Sequence, residues 1–194
     1  APALPSAMQL PERFVAARFY FRSTFPPGAE SVDFARATLQ KVAKQIPVVI
    51  LDSGTLSLDD HLDFAPNDLP NVYRLSDLVP LVPETNLLTQ SAVLARSNGF
   101  VGTYGGFAQL ALRYRKPVVS IYKDWRGTAL AHYSLSQFLA LSQNVAFHTI
   151  KMGDIPLLQE VLPEVRLEIQ PSKDQPAKDW QAAQTPQDIV GVAV

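Results

Sequence analysis

The sequence predicts an α/β fold with a mainly parallel sheet of about five or six strands and helices on both faces. Three observations carry this. The runs Pro47–Leu51 (PVVIL) and Pro117–Tyr122 (PVVSIY) are continuously apolar, as strands buried on both faces of a parallel sheet must be. Segments of helical period alternate with them. The stretch Phe100-Val101-Gly102-Thr103-Tyr104-Gly105-Gly106-Phe107 joins an apolar strand to an apolar helix through a glycine pair.

Along the chain, residues 1–12 are Pro-rich and read as an incoming linker. Phe14 to Phe21, dense in aromatic residues, reads as the first strand, and Pro26-Pro27-Gly28 breaks it. Glu30 to Gln45 has helical spacing through Val32, Phe34, Ala35, Leu39, Val42 and Ala43, with Ser31 as candidate N-cap. After the strand at Pro47–Leu51, a polar loop runs from Asp52 to Asn67, and Val72-Tyr73-Arg74 reads as a short strand. Glu84 to Arg96 reads as a helix, Gly99 to Val101 as a strand and Gly106 to Arg115 as the helix after the glycine loop. Beyond the strand Pro117–Tyr122, Thr128 to Ser142 is helical in pattern, Val145 to Ile150 strand-like and Ile155 to Val161 a short helix. The result is a Rossmann-like three-layer αβα domain over residues 13–165, followed by a tail over 166–194 where Pro, Gln, Lys, Asp and Ala take over.

Composition narrows the function classes. With 194 residues, 47% hydrophobic and 18% charged, the chain has material for one α/β domain with a real core. A net charge of -1 supplies no general pull on nucleic acid or membrane surfaces. The basic residues are not interleaved with aromatics as an RNA platform requires. The absence of cysteine removes disulfides, thiolate metal sites and cysteine nucleophiles, and fits a reducing, cytoplasmic location. No apolar run approaches the roughly 20 residues of a membrane span. The start at Ala1-Pro2-Ala3, without methionine, suggests a processed protein or an excised piece.

Ligands of open parallel sheets bind beyond the carboxyl ends of the strands, where four loops are candidates. The first offers Arg22 as a two-pronged phosphate partner, with Ser23 and Thr24 as hydroxyl donors; the plain alternative is a surface arginine in a turn. The second, Asp52-Ser53-Gly54-Thr55 reaching Asp59-Asp60-His61, suits a base or ribose contact, against a solvated loop with local Asx turns. No second histidine stands at ligand spacing, so no metal is expected. The third is the glycine loop. Glycine there tolerates positive φ and close approach of a ligand, and the new helix points N–H groups and the positive end of its dipole at an anion. Thr103 and the N–H groups of Gly106 and Phe107 are the candidate donors. The pattern is neither GxGxxG nor a P-loop, which argues against ATP hydrolysis and weakens a nicotinamide reading. The fourth, Lys123-Asp124-Trp125-Arg126-Gly127-Thr128 with His132 beyond, suits a phosphate and sugar hydroxyls. His132 is read more plainly as a partly buried helix residue, and His148 as structural. No GxSxG serine elbow is present.

The segment Thr89 to Tyr122, TQSAVLARSNGFVGTYGGFAQLALRYRKPVVSIY, resembles the donor-binding half of GT-B glycosyltransferases. There a strand ends in a glycine loop, the next helix points at the diphosphate of a nucleotide-sugar, and a KPVV strand follows. FYFRSTFP and LDSGTLSLDDH resemble the first two strand ends of the same domain, so the likeness spans about Phe14 to Val161. It implies diphosphate contacts from Arg22, Ser23, Thr103, Tyr104, Gly105, Gly106 and Phe107. It implies sugar or nucleoside contacts from Ser53, Gly54, Asp124, Arg126 and His132. It implies no metal and no resident cofactor. The sequence departs from the family in having Tyr104 where many members place histidine, and in lacking a clear downstream acidic motif. The implied partners are a nucleotide-sugar donor and an N-terminal acceptor domain that this chain is too short to contain. Two other readings stand beside it: a non-catalytic Rossmann-like module for a protein or small ligand, and half of a nucleotide-sugar epimerase.

Overall fold

The fold is described from a computed structural model over residues 2–5, 8–54, 62–125 and 129–154. The expected helix at Ile155–Val161 and the tail over 166–194 lie outside the described residues, as do Thr55, Asp59, Asp60, His61 and Arg126.

The first strand is β1 (Val15–Phe21), followed by α1 (Ala29–Ala43), β2 (Val48–Ile50), β3 (Leu62–Phe64) and β4 (Val72–Arg74). Then come α2 (Leu75–Leu78), α3 (Pro83–Arg96), β5 (Phe100–Thr103), α4 (Gly106–Arg113), β6 (Val118–Tyr122), α5 (Ala129–Gln143) and β7 (Phe147–Lys151), closed by a 3₁₀ turn at Met152–Asp154. The sheet order is β4-β2-β1-β5-β6-β7, and all five of these neighbour pairings are parallel. Counting only the parallel strands, this is the 3-2-1-4-5-6 order of a doubly wound Rossmann-like sheet. The predicted fold class is therefore found.

Alternation along each strand sends side chains to opposite faces, and two apolar clusters result. On one face, α1 contributes Phe34, Ala35 and Leu39, which gather with Ala17, Phe19, Val101 and Ile121. On the other, Val93 and Leu94 of α3, Ala108, Ala111 and Leu112 of α4 and Ala140 of α5 gather with Ala16, Val49, Phe100 and Val118. Each large side chain such as Phe19, Leu39 or Leu112, fully enclosed here, contributes about 1.5–3 kcal/mol relative to exposure. Near the start of the chain, Met8 is buried in the second cluster, with Leu4 and Leu10 packed against it.

Three local expectations are corrected. The polar loop Asp52–Asn67 contains β3, which pairs antiparallel with Phe19–Phe21 of β1 beyond the point where the β2 pairing ends. Ser31 is not an N-cap: the helix already begins at Ala29, its cap is Gly28 without a side-chain hydrogen bond, and Ser31 is buried inside the helix. The helix expected from Glu84 begins one residue earlier, at Pro83, whose missing N–H costs nothing in a first turn.

Candidate functional site

Strand order reverses between β1 and β5: the chain leaves β1 for α1 on one face and β5 for α4 on the other. Such a switch point opens a crevice beyond the carboxyl ends of the two strands. The structure brings three of the four predicted loops together there. Arg22 and Phe25 exchange backbone hydrogen bonds of 3.0 Å, making a tight turn that leaves Arg22 and Ser23 exposed while Phe25 is fully buried. The N–H groups of Lys123 and Asp124 both donate to the Thr24 carbonyl, at 2.8 and 3.2 Å, so the loop after β6 is tied to the loop after β1. The Tyr104 N–H donates to the Ile121 carbonyl at 2.8 Å and ties in the glycine loop.

The glycine pair divides its tasks. Gly105 is extended, with φ 165°, and Gly106 opens α4. Neither uses the left-handed backbone that the sequence reading allowed for; among the described glycines only Gly54 does, at φ 60°. Gly105 is required by space, because a Cβ there would stand 1.7 Å from the Tyr20 hydroxyl. That hydroxyl donates to the Tyr104 carbonyl at 3.3 Å. At Gly106 a Cβ would meet nothing within 4 Å, and the residue is exposed. Among the described residues no side chain caps α4, and its first-turn N–H groups stand at the crevice without an intrahelical partner.

The other predicted diphosphate contacts are placed less simply. Thr103 is buried, and its hydroxyl donates to the Arg18 carbonyl at 3.4 Å. The Tyr104 side chain is also buried, its hydroxyl 3.2 Å from Ser136 Oγ and its ring edge-on to Trp125 at 5.1 Å. Both residues therefore face the crevice with backbone rather than side chain. Burial raises the Tyr104 phenol above its ordinary pKa, and burial does the same to Tyr20, so both are neutral donors near neutral pH. The Phe107 ring lies 4.4 Å from the Arg18 guanidinium carbon. Trp125 stacks on Tyr122 at 4.0 Å and on Tyr133 at 5.3 Å, forming an aromatic wall beside the loop. Asp124 is exposed, and His132 is exposed on α5 rather than partly buried.

The second predicted loop is held by hydrogen bonds within the chain. Asp52 is buried, and its carboxylate accepts from the Gly54 N–H at 3.1 Å and from the Ser76 N–H of α2 at 3.0 Å. This is the local Asx turn of the plain reading. Ser53 is buried, with its N–H on Asp63 Oδ2 at 3.1 Å. Arg18, which the sequence reading passed over, holds this region. It is 4% exposed and lies within an otherwise apolar strand. Its Nε and Nη2 meet both oxygens of Asp63 at 3.0 and 3.2 Å, and Nη1 donates to Gln90 Oε1 at 2.9 Å. Gln90 in turn donates to the Asp52 carbonyl at 3.0 Å. A lone arginine among apolar strand residues was the available signal, since a buried charge demands a partner.

Among the described residues, no three His, Asp or Glu side chains gather as a metal site. No described helix is long and apolar enough to cross a membrane. No family model matches this sequence, and comparison with curated proteins gives no match either.

Proposed function

We propose that the crevice binds the diphosphate of a nucleotide-sugar at the N-terminus of α4, and that the domain is the donor-binding part of a GT-B glycosyltransferase. The observation that carries the reading is the uncapped first turn of α4, open above Gly106, at the switch point of the sheet. Such a helix end favours an anion through its free N–H groups and its dipole. Arg22 and Ser23, exposed on the neighbouring turn, add charge and a hydroxyl. During transfer, an acceptor hydroxyl oxygen bonds to the sugar's anomeric carbon and gives up its proton while the bond from that carbon to the diphosphate oxygen breaks, and charge grows on the leaving diphosphate. Donors already aimed at that position stabilise it without reorganising. The rings of Trp125 and Tyr122, tilted by 32° to each other, offer an aromatic surface beside the proposed phosphate position.

Calorimetry with UDP, GDP, ADP and their sugar conjugates tests the proposal, and no binding at millimolar concentration overturns it. A Gly106→Asp variant sharpens the test. Its side chain has room, and a carboxylate in the first helical turn is favourable to the fold. It should leave the melting temperature equal or higher while weakening diphosphate binding at least tenfold.

One observation favours the second reading, a non-catalytic module. Tyr20 fills the space beside Gly105, and Phe107 covers Arg18, so the protein's own aromatic groups already occupy part of the crevice. On that reading Gly105 serves packing only, and Gly106→Asp changes no binding.

A further inference from the structure

Strand β1 sends Ala17, Phe19 and Phe21 into one apolar cluster and Ala16 into the other. Alternation therefore puts Arg18 and Tyr20 on the side of Ala16, the face that carries α3 and α4. Both side chains end at the glycine loop, one on each side of Gly106. The Tyr20 hydroxyl donates to the Tyr104 carbonyl and fills the space that a Gly105 side chain would need. The Arg18 guanidinium carbon lies over the Phe107 ring, 4.4 Å from its centroid, and Phe107 is in the first turn of α4. That guanidinium is itself gripped from two further elements. Nε and Nη2 meet both oxygens of Asp63 in β3, and Nη1 donates to Gln90 in α3. Such bonds lie in the plane of the fork and leave its face to a ring. A buried pair of this kind adds little stability that apolar side chains would not supply. What it adds here is a fixed direction for the cation.

We propose that Arg18 is a positioning residue for the anion site. Clamped by Asp63 and Gln90, its guanidinium holds the Phe107 ring and so fixes the first turn of α4, while Tyr20 holds the loop on the other side of Gly106. The N–H groups of Gly106 and Phe107 are thereby aimed into the crevice before a ligand arrives. A donor set fixed in advance binds more tightly, because no ordering of the loop is left to be done on binding. The consequence for binding rests on the proposed diphosphate site, whereas the rigidity of the turn is a property of the ligand-free chain. The aromatic groups that fill part of the crevice on the non-catalytic reading are, on this one, the support beneath its donors.

The experiment uses the full chain and two readouts: ¹⁵N order parameters without ligand, and calorimetric affinity for UDP, GDP and ADP. Arg18→Met with Asp63→Leu removes the clamp, a replacement close to neutral for stability. Phe107→Leu removes the ring and leaves the clamp in place. Order parameters at positions 106 and 107 should be about 0.85 in the parent and fall below about 0.6 in both variants, with Val119 of β6 unchanged. Phe107→Tyr, which keeps the ring, should hold them at the parent value. Affinity for the nucleotide that the parent binds should drop about tenfold in both variants. Order parameters that stay at the parent value in either variant overturn the positioning role, whatever the parent binds. A fall that extends to Val119 reports loosening of the whole sheet and overturns it too, as does a local fall with no change in affinity. Absence of nucleotide binding by the parent overturns the donor site instead, and the order parameters alone then decide whether Arg18 fixes the turn.

Discussion

Two loops at the carboxyl edge of the sheet face the same physical problem and solve it differently. After β2, the N–H groups of Gly54 and Ser76 meet the buried carboxylate of Asp52, and Arg18 behind them meets Asp63. The chain supplies its own anions there. After β5, the first turn of α4 opens at Gly106 with no side-chain cap. The first loop is a finished structural joint, and the second is the place we propose for an outside anion. The contrast teaches that polar residues at a strand end do not by themselves mark a ligand site. The proposed site differs in that no described side chain caps its donors.

The largest effect should come from breaking the finished joint. Asp63→Ala leaves the Arg18 guanidinium buried without its carboxylate, and loss of one member of a buried pair costs about 3–5 kcal/mol. Urea denaturation should show this. Removing both charges in Arg18→Met with Asp63→Leu should recover most of the loss, because apolar replacement of a buried pair is close to neutral. If the single variant is as stable as the parent, Arg18 is not held as described.

Next is Asp52→Ala. It strips the acceptor from the Gly54 and Ser76 N–H groups, which are exposed and half-buried, and hydrogen bonds to a charged group contribute roughly 1.5–3 kcal/mol. The same Asp→Ala change at exposed Asp124, in the loop after β6, should cost far less. Equal losses at Asp52 and Asp124 would remove the distinction between the joint and the open crevice.

Much of this contrast was out of reach of the sequence, and the reasons are particular. The parallel strands were legible because Val48, Val49 and Ile50 are apolar on both faces of the sheet. The glycine turn was legible from its place between an apolar strand and an apolar helix, but the strand order that puts it at a switch point was not. β3 was not, because Leu62-Asp63-Phe64 is short and interrupted by a charge. That charge belongs there only because Arg18, 45 residues earlier, is buried beside it. Distant pairing of this kind leaves no periodic trace. Ser31 misled for the opposite reason: a good capping residue was present, but Pro27-Gly28 let the helix begin one turn earlier. Ser53 and Gly54 were read as base or ribose contacts, with an Asx turn as the plain alternative, and the structure shows the Asx turn. Gly54 needs its φ of 60°, and a Cβ there would come within 3.0 Å of Ser76 Cβ.

The glycine pair gives a smaller but sharper test. Gly105→Ala drives a methyl group into the Tyr20 hydroxyl and should cost about 1–3 kcal/mol, the range for an overpacked site. Gly106→Ala, in open space, should instead raise stability by about 0.4–1 kcal/mol by restricting the unfolded chain. Thermal melts of the two single variants suffice. Opposite signs establish that adjacent glycines serve packing and opening separately, whereas equal losses mean that both are packing residues and the crevice is closed.

The smallest effect concerns Tyr20, the residue standing between the joint and the open turn. Burial raises its phenol pKa above the ordinary value, with Arg18 opposing that shift. The folded state therefore holds the proton more tightly than the unfolded chain. Stability from this source is intact below the unfolded value of about 10 and is lost as pH rises through the folded value above it. Urea midpoints between about pH 9 and 11 should fall for the parent protein. They should fall less steeply for Tyr20→Phe, which has no proton to lose and also relieves the crowding at Gly105. If the two slopes coincide, the phenol is reaching water through the crevice, and the Tyr20 side of the glycine loop is as open as the Gly106 side.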